Sequence, residues 1–266
     1  MMRTYLAVAC IFIVCSSSLF SQNAPTESSS TGGKPDGVYA SGFRILNKRA
    51  AGNNFNFDAT VILSKVRDKW YPQIPELQKS VRQQGTTEIN FEIQRDGSLG
   101  KLTTVKSAGD AAMDSAASES ITSAAPFAAL PDKFPDKTLK LEIFFGYDQP
   151  ANPAAPFCDG PDSGAHTANF PLHKIGHGVT PPRQIYNREP EFSEQARRDK
   201  YMSLVVISGT VDPQGAFTDL CVTQAGGEGL DERAIEAAKL WKFQPATLQG
   251  EPVAVRINAE MSFRLY

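Results

Sequence analysis

The chain carries its own outline twice. Residues 87–109, TEINFEIQRDGSLGKLTTVKSAG, lie over residues 205–227, VVISGTVDPQGAFTDLCVTQAGG, without a gap. In the first copy Ile89, Phe91 and Ile93 alternate with Glu88, Asn90, Glu92 and Gln94. Period-two alternation sends successive side chains to opposite faces, so the stretch reads as a half-buried strand. Asp96-Gly97 supplies the positive φ of a tight turn, and residues 212–215 repeat it. The return strands are 99–105 and 217–223. Each hairpin must bury one face against something, which confines the chain to layered folds.

The flanking segments supply that layer. After the second hairpin, Leu230, Ala234, Ala237, Ala238 and Trp241 fall on one helical face, and Asp231 and Glu232 complement the helix dipole in its first turn. The first-half counterpart, residues 111–125, keeps Met113, Ala117, Ile121 and Ala124 on a face. A shorter helix precedes each hairpin: Ile62, Val66 and Trp70 lie four apart before Pro72, and Ser193 is the N-cap expected of SEQARRDK. Each half closes on a strand. TLKLEIFFGY puts Leu139, Leu141, Ile143, Phe145 and Tyr147 on one side. The final strand puts Val253, Val255, Ile257, Ala259, Met261, Phe263 and Leu265 on one side, with Arg256, Asn258, Glu260, Ser262 and Arg264 on the other. The fold class is therefore α+β: two tandem α-β-β-α-β units, each a three-stranded antiparallel sheet with helices packed on one face. A hairpin followed by a crossover helix gives the spatial order 2-1-3, which leaves the last strand of each unit at an edge.

The boundaries follow from composition. Residues 1–21 have Arg3, an apolar run over 5–15 and small polar residues, the grammar of an export leader cut after Ser21. The run is short for a spanning helix, which needs about 20 apolar residues. Cleavage leaves the protein in the periplasm; an uncleaved leader anchors it at the inner membrane. Residues 22–51 form a polar, Ser/Gly/Pro-rich flexible linker, 52–148 the first domain, 149–170 a second linker and 171–266 the second domain. The formal charge of -2 over 266 residues, with no single-sign block, argues against a nucleic-acid partner. In an exported chain Cys158 and Cys221 are compatible with a disulfide or with two free thiols. By alternation Cys221 faces away from the helices, where a loop bearing Cys158 could staple the linker over the sheet.

Chemistry is sparse. No G-x-S-x-G elbow, Walker loop, H-E-x-x-H or EF-hand spacing occurs. His166, His173 and His177 cluster within twelve residues in a spacing that fits no structural metal motif. The expectation is a protein that is not an enzyme and has no cofactor and no metal.

A family resemblance rests on specific residues. REPEFSEQARRDK, followed by SGTVDPQGAFTDLCVTQAGGEGLDERAIEAAKLWKFQPATLQGEPVAVRINAEMSFRLY, resembles the C-terminal domain of TonB-family proteins. The elements are the P-x-[aromatic]-x-x-x-A start (Pro190, Phe192, Ala196), the D-x-x-G turn, the L-D-x-x-A…W-x-F-x-P-A run, the G-x-P-V turn and the final strand. The first half, with W-Y-P ending its helix and R-D-G-S at its turn, resembles the TolA/TonB-like version of the same fold. The resemblance implies a periplasmic domain that captures a short N-terminal segment of an outer-membrane TonB-dependent receptor, or of another envelope protein, as an added strand. Inner-membrane motor proteins then supply force. It places receptor contacts just before the P-x-[aromatic] start, at Arg188 and Glu189. Residues 5–21 lack the histidine of the family's membrane anchors, and the linker of roughly 30 residues would average only about 30 Å as a coil.

The expected partner-binding residues are thus Arg188, Glu189, Pro190 and Phe192, with Val255, Arg256, Ile257, Asn258, Glu260, Ser262 and Arg264 on the final strand. Main-chain hydrogen bonds would supply affinity and alternate side chains selectivity. Three occupants of that edge are compatible with the sequence: a partner segment, cover by the other half or by a second copy in a homodimer, and solvent.

Overall fold

The computed structural model describes residues 38–47, 58–74, 84–149, 154–158 and 170–265; the leader, residues 22–37 of the first linker, and His166 lie outside them. Strand β1 (Val38–Ile45) precedes the first repeat, which runs α1 (Thr60–Trp70), β2 (Gly85–Gln94), β3 (Leu99–Lys106), α2 (Ala111–Ala124) and β4 (Thr138–Gln149). Two short strands follow, β5 (Leu172–His173) and β6 (Arg183–Tyr186). The second repeat then runs α3 (Glu194–Arg198), β7 (Met202–Val211), β8 (Phe217–Gln224), α4 (Leu230–Ala238), β9 (Lys242–Gln244), β10 (Ala246–Leu248) and β11 (Glu251–Phe263).

The helices form where the apolar spacing places them and start where a side chain satisfies their free amides. Asp58 accepts from the Thr60 amide at 3.0 Å, Asp110 from those of Ala112 and Met113 at 2.8 and 3.1 Å, and Ser193 from that of Ala196 at 2.9 Å. Ile62, Val66 and Trp70 of α1 are buried, as are Met113, Ala117, Ile121 and Ala124 of α2 and Leu230, Ala234, Ala237 and Ala238 of α4. Gly215 closes the second hairpin at φ 81°, where an added Cβ would strike the carbonyl oxygen of Phe243.

Each repeat has the strand order read from its sequence, β3-β2-β4 in the first and β8-β7-β11 in the second. The two do not remain separate sheets. β1 pairs antiparallel with β4 along its length and touches β7 at Gly42↔Ser203 and Phe43↔Met202, joining both repeats into one nine-stranded sheet. Two expectations are corrected here. Residues 38–45, assigned to the 22–51 linker, form a central strand, and the last strand of the first repeat is no edge because β1 covers it. Physically, β1 is buried on both faces: Tyr39, Phe43 and Ile45 meet the first core and Ala40 the second. A doubly covered strand lacks the polar alternation that marks a half-exposed one. Gly42 has no side chain because the Tyr201 ring occupies the place a Cβ would take.

Along β7, Met202 and Leu204 join the first core while Val205, Ile207 and Val211 join the second. Since alternate residues face opposite ways, the two helical layers lie on opposite faces of the shared sheet. At the seam Arg67 of α1, 2% exposed, donates to Leu204 O (2.7 Å), Ser41 O (2.6 Å) and Ala225 O (2.8 Å), and to the hydroxyls of Ser41 and Ser203.

The linker between the repeats is also partly ordered. Cys158 donates its amide to Val222 O at 3.0 Å, and Val222 donates to Pro156 O at 2.7 Å, so residues 156–158 run along the outer edge of β8. Cys158 and Cys221 are joined as a disulfide there. Cys221 pairs across from Ser208, on the sheet face away from α4.

Asp114 and Asp231 occupy matching places, each following a buried apolar residue (Met113, Leu230) and accepting amides at a strand-to-helix turn. Burial pushes the Asp231 carboxyl up despite the amides of Gly226 and Gly227. Burial also pushes Asp114 up, but donors from Ser107, Thr87 and the Ala108 amide outweigh it and hold this carboxyl below its ordinary value. A carboxyl lowered on folding stabilises the protein above its unfolded pKa, and that contribution is lost as pH falls through the folded pKa. Asp114→Asn should therefore be less stable than the parent at neutral pH, with the gap closing below the ordinary carboxylate range. Thermal unfolding at a series of pH values checks this; a gap that widens in acid would contradict it.

Candidate partner-binding edge

The site is built on β11, whose inner side pairs with β7 from Val255↔Val211 to Phe263↔Ser203. On the outer side, β10 pairs with residues 251–253 through the turn at Gln249 and Gly250, and β5 adds a parallel pairing at Ala254 and Val255. Beyond that point no described strand pairs with the outer side of residues 256–263. Within the sheet, the upstream half pairs with the second repeat at β1 and β7, on the far side of β7 from β11.

The two faces of β11 differ. Val255 and Ile257 are buried in the second core with Ala259, Met261 and Phe263, so they can offer a partner only their main chain. On the opposite face Asn258 is exposed, while Arg256 reaches Ser208 Oγ at 2.9 Å and Cys221 Sγ at 3.1 Å. Arg264 pairs with Asp58 at 2.6 Å. Ser262 was expected on an open polar face, yet it is only 5% exposed, because α1 of the first repeat lies across this end of the strand. Glu260 is half-buried beside it, and burial first, then the neighbouring Asp58 and Asp68, push its carboxyl above the ordinary value against the pull of Arg67.

The lead-in segment divides in two. Pro190 and Phe192 are buried, and the Phe192 ring meets Phe263 edge-on at 5.6 Å, anchoring the segment to the end of β11. Arg188 and Glu189 are exposed and line a different cavity, about 240 Å³, with Arg233, Glu236 and Leu240 near the end of α4. The Arg188 carbonyl accepts from Trp241 Nε1 at 2.9 Å, and its guanidinium pairs with Glu191. Trp241 and Phe243 are core residues and Lys242 is exposed. The structure thus gathers Phe192, Glu260, Ser262 and Arg264 at one end of β11 and leaves Arg188 and Glu189 over α4.

Sequence reading missed the contribution of α1. Asp58, Ser64 and Asp68 face Glu260 and Ser262 across a cavity, a proximity between repeats that no local spacing encodes. Arg67 could have been found: Leu63, Arg67 and Trp70 fall at i, i+4 and i+7, which puts a cation on an apolar stripe.

Among the described residues no group of three or more His, Cys, Asp or Glu could hold a metal, and no helix is long and apolar enough to cross a membrane.

Comparison with known proteins gives two family matches. Residues 188–265 match the family described as the Gram-negative bacterial TonB protein C-terminal, and residues 62–143 match the family described as TonB C terminal. Protein TonB of Vibrio cholerae serotype O1 is 36% identical over 78 residues, 29% of this chain and 32% of that protein. Protein TonB of Xanthomonas campestris pv. campestris strain B100 is 30% identical over 77 residues, 29% of this chain and 34% of that protein. The chain therefore spans about a third of the length of these curated relatives.

Proposed function

The chain is a TonB-family protein carrying two C-terminal domains in tandem, and from that premise we propose that it is a TonB-like envelope transport protein whose second domain takes an extended peptide as an added strand on β11. The peptide is the N-terminal segment of an outer-membrane TonB-dependent receptor. The protein works in the periplasm, and inner-membrane motor proteins are its further partners. The observation that carries this reading is the outer side of residues 256–263, which pairs with no described strand, whereas the start of β11 is taken by β10 and β5. An unpaired strand side presents a row of amides and carbonyls, the template that strand addition uses. Chemistry on a substrate has no part in this role.

The shared sheet favours a companion reading for the first domain. Its β4 is already covered by β1, so it serves as a fixed extension of the second domain and does not take a peptide through β4. The mature protein, titrated with synthetic peptides copied from receptor N-termini of its own genome, should show amide shifts concentrated at residues 253–266 and protection of the outward amides of 256–263. Peptides that leave those amides unmoved would refute receptor binding. Light scattering that finds a tight dimer with the same amides protected before any peptide is added would replace the receptor with a second copy of the chain.

A further inference from the structure

We propose that the docked segment is read by both domains at once: α1 of the first domain walls a groove beside the open side of β11, and this groove receives a lysine or arginine side chain of the added strand. The proposal rests on the strand-addition reading and names the chemistry of the segment that fits.

The groove encloses about 310 Å³, lined by Asp58, Ser64 and Asp68 of the α1 side and by Glu260 and Ser262 of β11. Glu260 and Ser262 pair across from Val206 and Leu204, and Leu204 lies in the core that α1 covers, so both side chains point to the α1 face. An added strand would lie about 4.8 Å outside β11. Its side chains on that face would then stand beside Glu260 and Ser262.

Three features of the lining select a cation. First, the positive groups at the groove are engaged: Lys65, which is part of the lining, donates to the Pro126 carbonyl and lies 5.7 Å from the Phe127 ring centre, and nearby Arg264 pairs with Asp58. Asp68 and Glu260 take part in no ion pair among the described residues. Second, the Ser262 hydroxyl is buried in the lining with no hydrogen-bond partner. A buried hydroxyl left unpartnered costs about 1–3 kcal/mol, a deficit that a donor arriving in the groove would relieve. An ammonium or guanidinium can donate to Ser262 and to the carboxylates together. Third, Val61, 61% exposed, adds an apolar patch to the wall, suited to the aliphatic stem of a long cationic side chain.

Charge exchange across the groove tests this. The probes are the receptor-derived peptides of the preceding titration, each compared with a version in which its basic residues are glutamate. The proteins are the mature chain, Asp68→Lys, and the double variant Asp68→Asn with Glu260→Gln. Asp68 is exposed and Glu260 only half-buried, so both variants should fold. The parent should bind the basic peptide about tenfold tighter than its glutamate version, the order expected for partly desolvated charge pairs. The double variant should lose most of that preference, and Asp68→Lys should reverse it. Shifts at 256–263 that persist with no charge preference would overturn the groove and leave strand addition standing. If no peptide moves those amides, strand addition fails and the groove with it.

Discussion

Arg67→Met should lower the unfolding free energy by about 3–5 kcal/mol and uncouple the two halves of the molecule. The guanidinium sits where three strands diverge: β8 ends, β1 begins, and both run along the same side of β7. Such a junction leaves backbone carbonyls with weak main-chain partners: Ala225 O accepts the Ser41 amide only at 3.4 Å. Arg67 answers those of Ser41, Leu204 and Ala225, together with two serine hydroxyls, from a single planar fork. Methionine fills the space but supplies no donor: Ser41 O keeps the Ser203 hydroxyl at 2.5 Å, while Leu204 O and Ala225 O keep long contacts, from that hydroxyl at 3.3 Å and from the Ser41 amide at 3.4 Å. A poorly served buried acceptor costs about 1–3 kcal/mol, and the lost charge-assisted bonds together pass the usual range for a single substitution. Arg67→Lys should recover little, since one ammonium cannot span carbonyls from three strands. The two tryptophans make the uncoupling visible, because Trp70 lies in the first core and Trp241 in the second. In single-tryptophan backgrounds made with phenylalanine, both reporters should unfold together in the parent and at separate denaturant concentrations in Arg67→Met. A loss under about 1 kcal/mol with coincident transitions would mean that water serves those carbonyls as well as arginine does.

The same seam marks where the sequence stops being legible. Both repeats, their strand order and their helix faces could be read because each uses a local period: two for β2 and β11, near four for α1, α2 and α4. The seam uses none. In β1, Ala40, Ser41 and Gly42 occupy positions where a half-exposed strand would show large apolar or charged side chains, because both of its faces are covered and Tyr201 presses against Gly42. Ser262 illustrates the same limit at the candidate site. Alternation put it correctly opposite Met261 and Phe263, but its burial comes from a helix almost two hundred residues earlier in the chain. Val255 and Ile257 were legible as core residues from their pattern and for that reason can meet a partner only through their backbone. The short strands β6 and β9, which pair with each other near the lead-in segment, are too brief to show any period.

Trp241→Ala should cost about 3–5 kcal/mol, the range for emptying a packed aromatic site. The ring is 1% exposed and lies parallel to Phe217, with centroids 5.9 Å apart and planes 4° from coincidence. Trp241 also reaches outward. Its Nε1 holds the Arg188 carbonyl, so it ties the segment containing Arg188 and Glu189 to the second core. Trp241→Phe separates these two roles. Phenylalanine keeps most of the packing and removes the donor, and the net loss should be near 1 kcal/mol, with faster amide exchange confined to the segment around Arg188. The segment's fate bears on docking, because the family resemblance puts receptor contacts at Arg188 and Glu189, whereas the unpaired side of β11 lies at 256–263. Since those two residues sit over α4 and share no hydrogen bond or ion pair with β11 among the described residues, peptide affinity at β11 should be unchanged in Trp241→Phe. A several-fold loss of affinity with exchange at 256–263 unaltered would extend the docked peptide past the end of β11 and onto the cavity of Arg188, Arg233 and Glu236.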